Sequence, residues 1–155
     1  MAEGKGHAIA SVAIGGIGAG AIHSLQMPGA LSFGIGSVMG ILLSPDLDML
    51  EGSYSFHVVR SVLGKTGGFA WRLLWLPYAA VVKHRSRLSH WPVLGTTIRI
   101  FYLMVLFLVV LAMSNIIIAT AWDNVIMFIT SNLETCLLIF AGLVGSDITH
   151  FLLDR

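Results

Sequence analysis

The stretch KHRSRLSHWP, from Lys83 to Pro92, places two histidines and three cations between long apolar segments. Charged groups are too costly to leave in hydrocarbon, so we predict a polar site here. His84 and His90 would lie about 120° apart on a helix, and they share a site only if the stretch is a loop or bends. Pro92 biases Trp91 away from the helical region, which predicts that a helix begins at Pro92. We expect both histidines to close a metal site whose other ligands come from distant parts of the chain.

The composition is that of a membrane protein. Of the 155 residues, 56% are hydrophobic and only 11% are charged, and the mean hydropathy is +0.86. Soluble domains carry about 25% charged residues. The apolar segments run through the whole chain, so we predict a single multi-pass membrane domain over residues 1–155. Cys136 is the only cysteine, which excludes an intramolecular disulfide.

Four apolar segments are predicted to cross the membrane, since about 20 apolar residues span a hydrocarbon core of roughly 30 Å. The predicted crossings are residues 8–25, 30–44, 93–120 and 133–153. The first segment also fits a signal peptide, but further apolar segments follow and we interpret it as the first helix. The glycine pairs Gly16/Gly20 and Gly36/Gly40 predict close packing of the first two helices. The predicted fold class is an all-α integral membrane protein with about four transmembrane helices.

Two further segments are predicted to lie at the membrane surface. Residues 51–68 are polar and rich in glycine, which favours a surface loop. Residues 69–82 combine tryptophan, tyrosine and arginine and contain Pro77, which favours an interfacial helix. With four crossings and a short turn at 121–132, all nine lysines and arginines lie on or near the side that carries both termini. The positive-inside rule predicts that this side is cytoplasmic.

Acidic residues and histidines gather on the same predicted side. Asp46 and Asp48 follow the second crossing in an extended loop. In the last helix Asp147, His150 and Asp154 are spaced i, i+3, i+7 and project within about 60° of one another. A carboxylate and a histidine one turn apart are a common way for a helix to supply two metal ligands.

Asp147 has a competing interpretation, because it lies well inside an apolar segment. It would be paired there with Arg85, Arg87 or Arg99 as a buried ion pair, although Arg99 is also placed to reach back to the headgroups. We favour the metal site, since a histidine accompanies the carboxylate. His23 and His57 have no such neighbours and are left out. The candidate residues share an imidazole or a carboxylate on one predicted side: His7, Asp46, Asp48, His84, His90, Asp147, His150 and Asp154.

Four motifs occur in order after a histidine just ahead of the first helix: SPDLD, WLPY, HRSRLSH and DITHFLLD. This set resembles a bacterial family of metal-binding membrane proteins of unknown function. It is similar also to the inner-membrane metal-dependent hydrolases, which are distantly like zinc-dependent phospholipase C. The resemblance covers nearly the whole chain and implies a bacterial inner membrane, or an intracytoplasmic or thylakoid membrane. The metal ligands that it implies are His7, Asp46, His84, His90, Asp147 and His150, with Asp48 and Asp154 as additional ligands or neighbours.

The leading hypothesis is a membrane-bound metal-dependent hydrolase at the cytoplasmic headgroup layer, acting on a lipid or phosphodiester. Imidazoles and carboxylates without thiolate favour zinc, with manganese or iron as alternatives. Asp48 or Asp154 would act as general base, and Arg85 and Arg87 would clamp an anionic group. The alternative is a non-catalytic accessory subunit of a larger membrane complex with a structural or vestigial metal site. Membrane lipids and other membrane subunits are the predicted partners, and no nucleic acid is predicted.

Overall fold

The computed structural model describes residues 4–84, 86–114 and 118–154, except for the side chains of Arg87 and Ile118. Within these ranges the chain forms helices and no strands, which confirms the all-α class. The elements are α1 (Gly4–Ser24), α2 (Ala30–Met39), a 3₁₀ segment (Pro45–Gly52), α3 (Tyr54–Val81), α4 (Arg87–His90), α5 (Pro92–Met113), α6 (Ile118–Ser131) and α7 (Leu133–Leu153).

Three described helices, α1, α5 and α7, are long and apolar enough to cross a membrane. The predicted fourth crossing over residues 30–44 is wrong, because α2 has 10 residues. A helix of that length covers about 15 Å, half of the hydrocarbon core. Beyond α2 the chain continues in hydrogen-bonded turns as far as Leu43. It thereby returns to the end of the molecule where α1 begins.

Helices α1, α2 and α7 pack against one another, and the closest approach is between α2 and α7. A side chain at Gly36 would collide with the backbone of Ile139, and one at Gly142 would collide with the backbone of α2. The predicted partner of the α2 glycines was α1. However, Gly16 and Gly20 have no neighbour within 4 Å of an added Cβ, so that pairing is wrong. Helices α1 and α2 do pack together, as predicted, but through Gly15, which lies against Ser37 of α2.

Helix α3 replaces the predicted surface loop over residues 51–68, which is wrong. Ser53 starts the helix, because its hydroxyl oxygen accepts a hydrogen bond from the Phe56 backbone N–H at 3.3 Å. Gly64 kinks the helix at a φ of +69°, a conformation that glycine adopts without strain. The predicted interfacial helix over residues 69–82 is the second part of α3.

An aromatic core joins α3 to the 3₁₀ segment and to α5. Trp75 is 1% exposed, and the rings of Tyr78 and Tyr102 each lie 5.5 Å from it, centroid to centroid. Leu47 of the 3₁₀ segment is buried in the same cluster, and the Tyr102 hydroxyl donates to the carbonyl oxygen of Leu74. This core holds the acidic 3₁₀ segment against the helices that follow it.

The second half of the chain departs from the predicted boundaries. Helix α5 begins at Pro92, as predicted, but ends at Met113 rather than at residue 120. The predicted short turn over residues 121–132 is wrong, because most of it forms α6. The segment contains Asp123 and two asparagines, yet the surrounding residues are apolar and continue in helical conformation.

Candidate metal site

Four side chains from three separate parts of the chain meet at one end of the molecule. Asp46 lies in the first turn of the 3₁₀ segment, His90 is the last residue of α4, and His150 and Asp154 lie at the end of α7. One potential ligand atom from each of the four lies within 4.8 Å of the other three. We call these four residues the His/Asp cluster.

The distances within the His/Asp cluster suit a metal ion. His150 Nε2 lies 3.5 Å from Asp46 Oδ2 and 3.2 Å from Asp154 Oδ2. His90 Nε2 lies 3.6 Å from Asp46 Oδ1 and 4.0 Å from Asp154 Oδ2. When tetrahedral ligands bind at about 2.0–2.1 Å, neighbouring ligand atoms are about 3.3 Å apart. The four side chains are therefore close to a ligating arrangement.

The two histidines of the cluster carry buried nitrogen atoms that the described residues leave without a hydrogen bond. These atoms are Nε2 of His90 and Nε2 of His150. The other ring nitrogen of His90, Nδ1, lies 2.8 Å from the Ser89 hydroxyl oxygen, which leaves Nε2 to face the carboxylates. A buried polar atom without a partner is costly. A divalent cation would satisfy both imidazoles and both carboxylates, so the residues fit a metal.

Asp46 is held in the ionised form that binds metal. Burial alone would raise the pKa of Asp46, but its contacts with His150 and His90 outweigh burial and bring the pKa below its ordinary value. Metal binding requires a deprotonated carboxylate. Asp46 therefore does not have to release a proton when a metal binds at neutral pH.

His7 lies beside the His/Asp cluster and contacts two of its members. Its ring stacks on that of His150 with the centroids 3.8 Å apart, and its Nε2 lies 3.2 Å from Asp154 Oδ1. Next to these groups is a cavity of about 10 Å³, lined in part by His7, Asp46 and His150. That volume has room for about one water molecule. His7 thus orients two candidate ligands and borders the space beside them.

A second group of possible ligands shares His90. It consists of Asp48, His84 and His90, again with one potential ligand atom from each within 4.8 Å. His84 Nδ1 lies 2.8 Å from Asp48 Oδ1, and the rings of His84 and His90 meet edge to face at 5.3 Å. The Asp48 side chain is buried, whereas that of His84 is 38% exposed. A carboxylate on one ring nitrogen fixes the orientation of a histidine whose other nitrogen is available.

Asp147 lies away from the His/Asp cluster, in the buried ion pair that was the competing interpretation. Its Oδ2 accepts hydrogen bonds from Arg99 Nη2 and from the Thr96 hydroxyl, and Arg99 Nη1 donates to the Ser89 carbonyl oxygen at 3.2 Å. Asp147 and Arg99 are each 1% exposed. The prediction that Arg99 reaches back to the headgroups is therefore wrong. The rise of the helix separates Asp147 from Asp154 by about 10 Å, although both lie on one face.

The predicted anion clamp cannot be placed from the described residues. Arg85 falls outside the described residues, and so does the side chain of Arg87, so the predicted anion clamp stays a prediction.

Two residues that support the site were not predicted from the sequence. Ser89 was missed, although it directly precedes His90 and bonds to its ring. Thr96 was missed as well, and its position one turn before Arg99 on an apolar helix was the available signal.

Comparison with known proteins agrees with this chemistry. A family model described as "Uncharacterized metal-binding protein (DUF2227)" matches residues 2–155. Neither the curated proteins nor the solved structures gave a match. The predicted metal-binding family is confirmed, while the predicted similarity to hydrolases stays a prediction. Because the match takes in nearly the entire chain, the protein belongs to this family of uncharacterized metal-binding proteins.

Proposed function

We propose that the protein is a membrane-bound metal-dependent hydrolase whose ion is held by Asp46, His90, His150 and Asp154. The observation that carries the proposal is the pair of buried Nε2 atoms that face two carboxylates without hydrogen-bond partners among the described residues. Zinc is the proposed ion, with manganese or ferrous iron as alternatives, because the donors are imidazole and carboxylate. A bound ion of this kind acidifies water and polarises a phosphoryl or carbonyl oxygen.

His84 is the proposed proton acceptor. The Asp48 carboxylate accepts a hydrogen bond from His84 Nδ1, which leaves Nε2 of His84 to take a proton from water. The ring is partly exposed and lies edge to face with that of His90. Asp48 then has a positioning role in place of the general-base role predicted from the sequence. Asp154 is less suited to that role, because His7 and His150 both contact it.

The proposed location of the chemistry is the headgroup layer on the cytoplasmic side of a bacterial inner membrane. His7 lies in the first turn of α1, and His150 lies in the last turn of α7. If these two apolar helices cross the bilayer, the His/Asp cluster lies at its surface. A lipid or another phosphodiester is the proposed substrate, and membrane lipids are the proposed partners.

Metal analysis of the purified protein tests the site itself. We expect about one transition-metal ion per chain, which is lost in His90→Ala and in His150→Ala. His57→Ala is the matched control, because His57 lies in α3 and belongs to neither group of candidate ligands. A folded wild-type protein that takes up no metal would contradict the proposal.

Hydrolysis is tested on metal-loaded protein with a chromogenic phosphodiester and with phospholipid vesicles. Loss of a general base typically costs about 10²–10⁴-fold in rate, and we expect this loss for His84→Gln. The variant should retain the metal content of the wild type, which separates proton transfer from metal binding. A loaded wild type that cleaves neither substrate would contradict the hydrolase and favour the accessory-subunit alternative.

A further inference from the structure

An apolar groove on α1 runs next to the His/Asp cluster. Its volume is about 500 Å³. The groove shares three of its lining residues, Ala8, Ile41 and Tyr54, with the water-sized cavity beside the cluster. The full lining is Lys5, Ala8, Ile9, Val12, Ala13, Ile41 and Tyr54. The groove and the cavity beside the candidate ligands are therefore adjacent.

We propose that this groove holds an acyl chain of a membrane phospholipid and places the lipid phosphate beside the His/Asp cluster. The inference rests on the proposed function and deepens it, because it names the substrate class. It also assigns Lys5 and the groove-facing residues of α1 a role that the metal site alone does not give them.

The lining matches the chemistry of a phospholipid. Most of the wall is aliphatic, and Ile9 and Val12 are 70% and 53% exposed. The volume falls within the range of about 300–1,000 Å³ that is typical of small-molecule sites. Lys5 is the one charged side chain of the described lining, and an ammonium group complements a phosphate.

The direction of the groove also matches that of a lipid in a bilayer. Lys5 lies at the start of α1, in the same turn as His7, and Ala13 lies about 12 Å further along the helix axis. If α1 crosses the membrane, the charged end of the groove lies at the headgroups and the aliphatic end lies in the hydrocarbon. An acyl chain would therefore enter the groove in the direction that it already has in the bilayer.

Photo-crosslinking of the full chain tests the proposal. The probe is a phosphatidylglycerol with a diazirine on one acyl chain, in nanodiscs, and adducts are mapped by mass spectrometry. We expect adducts at Ile9, Val12 and Ala13. Ala13→Trp should lower the yield at least about fivefold by filling the groove. Ile17→Trp is the matched control, because Ile17 is 70% exposed one turn further along α1 and is not among the described lining residues.

The contribution of Lys5 is tested with two probes. Lys5→Gln should lower labelling by the phosphatidylglycerol probe about fivefold and leave labelling by a diacylglycerol with the same chains unchanged. Labelling spread evenly along α1, or a yield that Ala13→Trp does not change, would mean ordinary bilayer contact and would overturn the proposal. Labelling that unlabelled phosphatidylglycerol in excess does not reduce would overturn it as well.

Metal content of the same preparations separates this inference from the proposed function. Neither Ala13→Trp nor Ile17→Trp alters a residue of the His/Asp cluster, so both should carry the metal of the wild type. A metal-free protein that is labelled in the groove would contradict the hydrolase and support the acyl-chain site. A metal-loaded protein that is labelled evenly along α1 would overturn the acyl-chain site alone.

Discussion

Two buried polar clusters involve α7, the Arg99–Asp147 pair with Thr96 and the His/Asp cluster, and they differ in which groups face their carboxylates. In the deeper cluster Asp147 receives hydrogen bonds from Arg99 and Thr96. In the His/Asp cluster, by contrast, two carboxylates face two histidines whose Nε2 atoms have no hydrogen bond among the described residues. Because Arg99 already neutralises Asp147, this carboxylate gives no indication of a metal, although it lies within an apolar helix.

The two clusters are physically connected through α4. Arg99 donates to the carbonyl oxygen of Ser89, and the hydroxyl of the same serine bonds to the His90 ring. The Arg99–Asp147 pair thus joins α7, which carries His150, to the segment that carries His90. We infer that the pair fixes the distance between two candidate ligands from different helices without touching the ion.

The largest expected effect is that of Asp147→Ala, which would leave Arg99 buried without its partner. Breaking a buried ion pair from one side typically costs about 3–5 kcal/mol, and we expect this loss in the free energy of unfolding, measured in detergent micelles. The double variant Asp147→Leu with Arg99→Met should be closer to the wild type, since it removes both charges. A single variant as stable as the wild type would contradict the structural role of the pair.

Metal removal should have the next largest effect, and it should act on one cluster only. At a free metal concentration of 100 times Kd, binding adds about 2.7 kcal/mol to stability, which a chelator should abolish. His150→Ala should make the protein insensitive to the chelator, whereas Asp147→Leu with Arg99→Met should remain sensitive. Thermal unfolding with and without chelator measures both. Equal sensitivity of all three proteins would show that the ion lies outside the His/Asp cluster.

A smaller effect is expected for Ser89→Ala, which removes the partner of His90 Nδ1. Loss of the group that orients a ligating histidine typically lowers metal affinity about 10–100-fold. Competition with a chromophoric chelator measures this change. Ser86→Ala is the matched control, because the Ser86 hydroxyl is buried without a hydrogen-bond partner among the described residues. An unchanged affinity for Ser89→Ala would mean that the ring of His90 is fixed by other contacts.

The parts of the site that the sequence predicts depend on local rules and on hydropathy. Pro92 predicts the start of α5, and the apolar segments predict that His7, Asp46, His90 and His150 return to one end. The exclusion of Asp147 was not predictable from helical angle, because the angle ignores the rise of about 1.5 Å per residue. Which of three arginines would pair with it depends on how α5 packs on α7.

The errors in the fold have a different origin. Glycines favoured a loop over residues 51–68, but the Ser53 cap and the burial of Phe56 outweigh that local preference. The crossing over residues 30–44 was predicted from hydropathy alone. Hydropathy does not show that the regular helix ends at Met39 and that turns follow it. In both cases tertiary packing decides between alternatives that are locally similar.

The smallest expected effect concerns Tyr78, which reports on the ion pair rather than on the His/Asp cluster. Burial raises the pKa of Tyr78 to about 12, Arg99 opposes the rise, and the charges of Asp48 and Asp147 add to it. Because the neutral phenol is favoured in the fold, its contribution to stability is present below about pH 10 and is lost as the pH rises towards 12. In an absorbance titration of phenolate, the amplitude of the late phase should fall in Tyr78→Phe. Asp147→Asn should move that phase to lower pH, since Arg99 then acts on Tyr78 without its counter-charge.

The same titration tests how tightly the two clusters are coupled. A chelator should leave the late phase in place. A shift on metal removal would show that the two clusters are coupled more tightly than through Ser89.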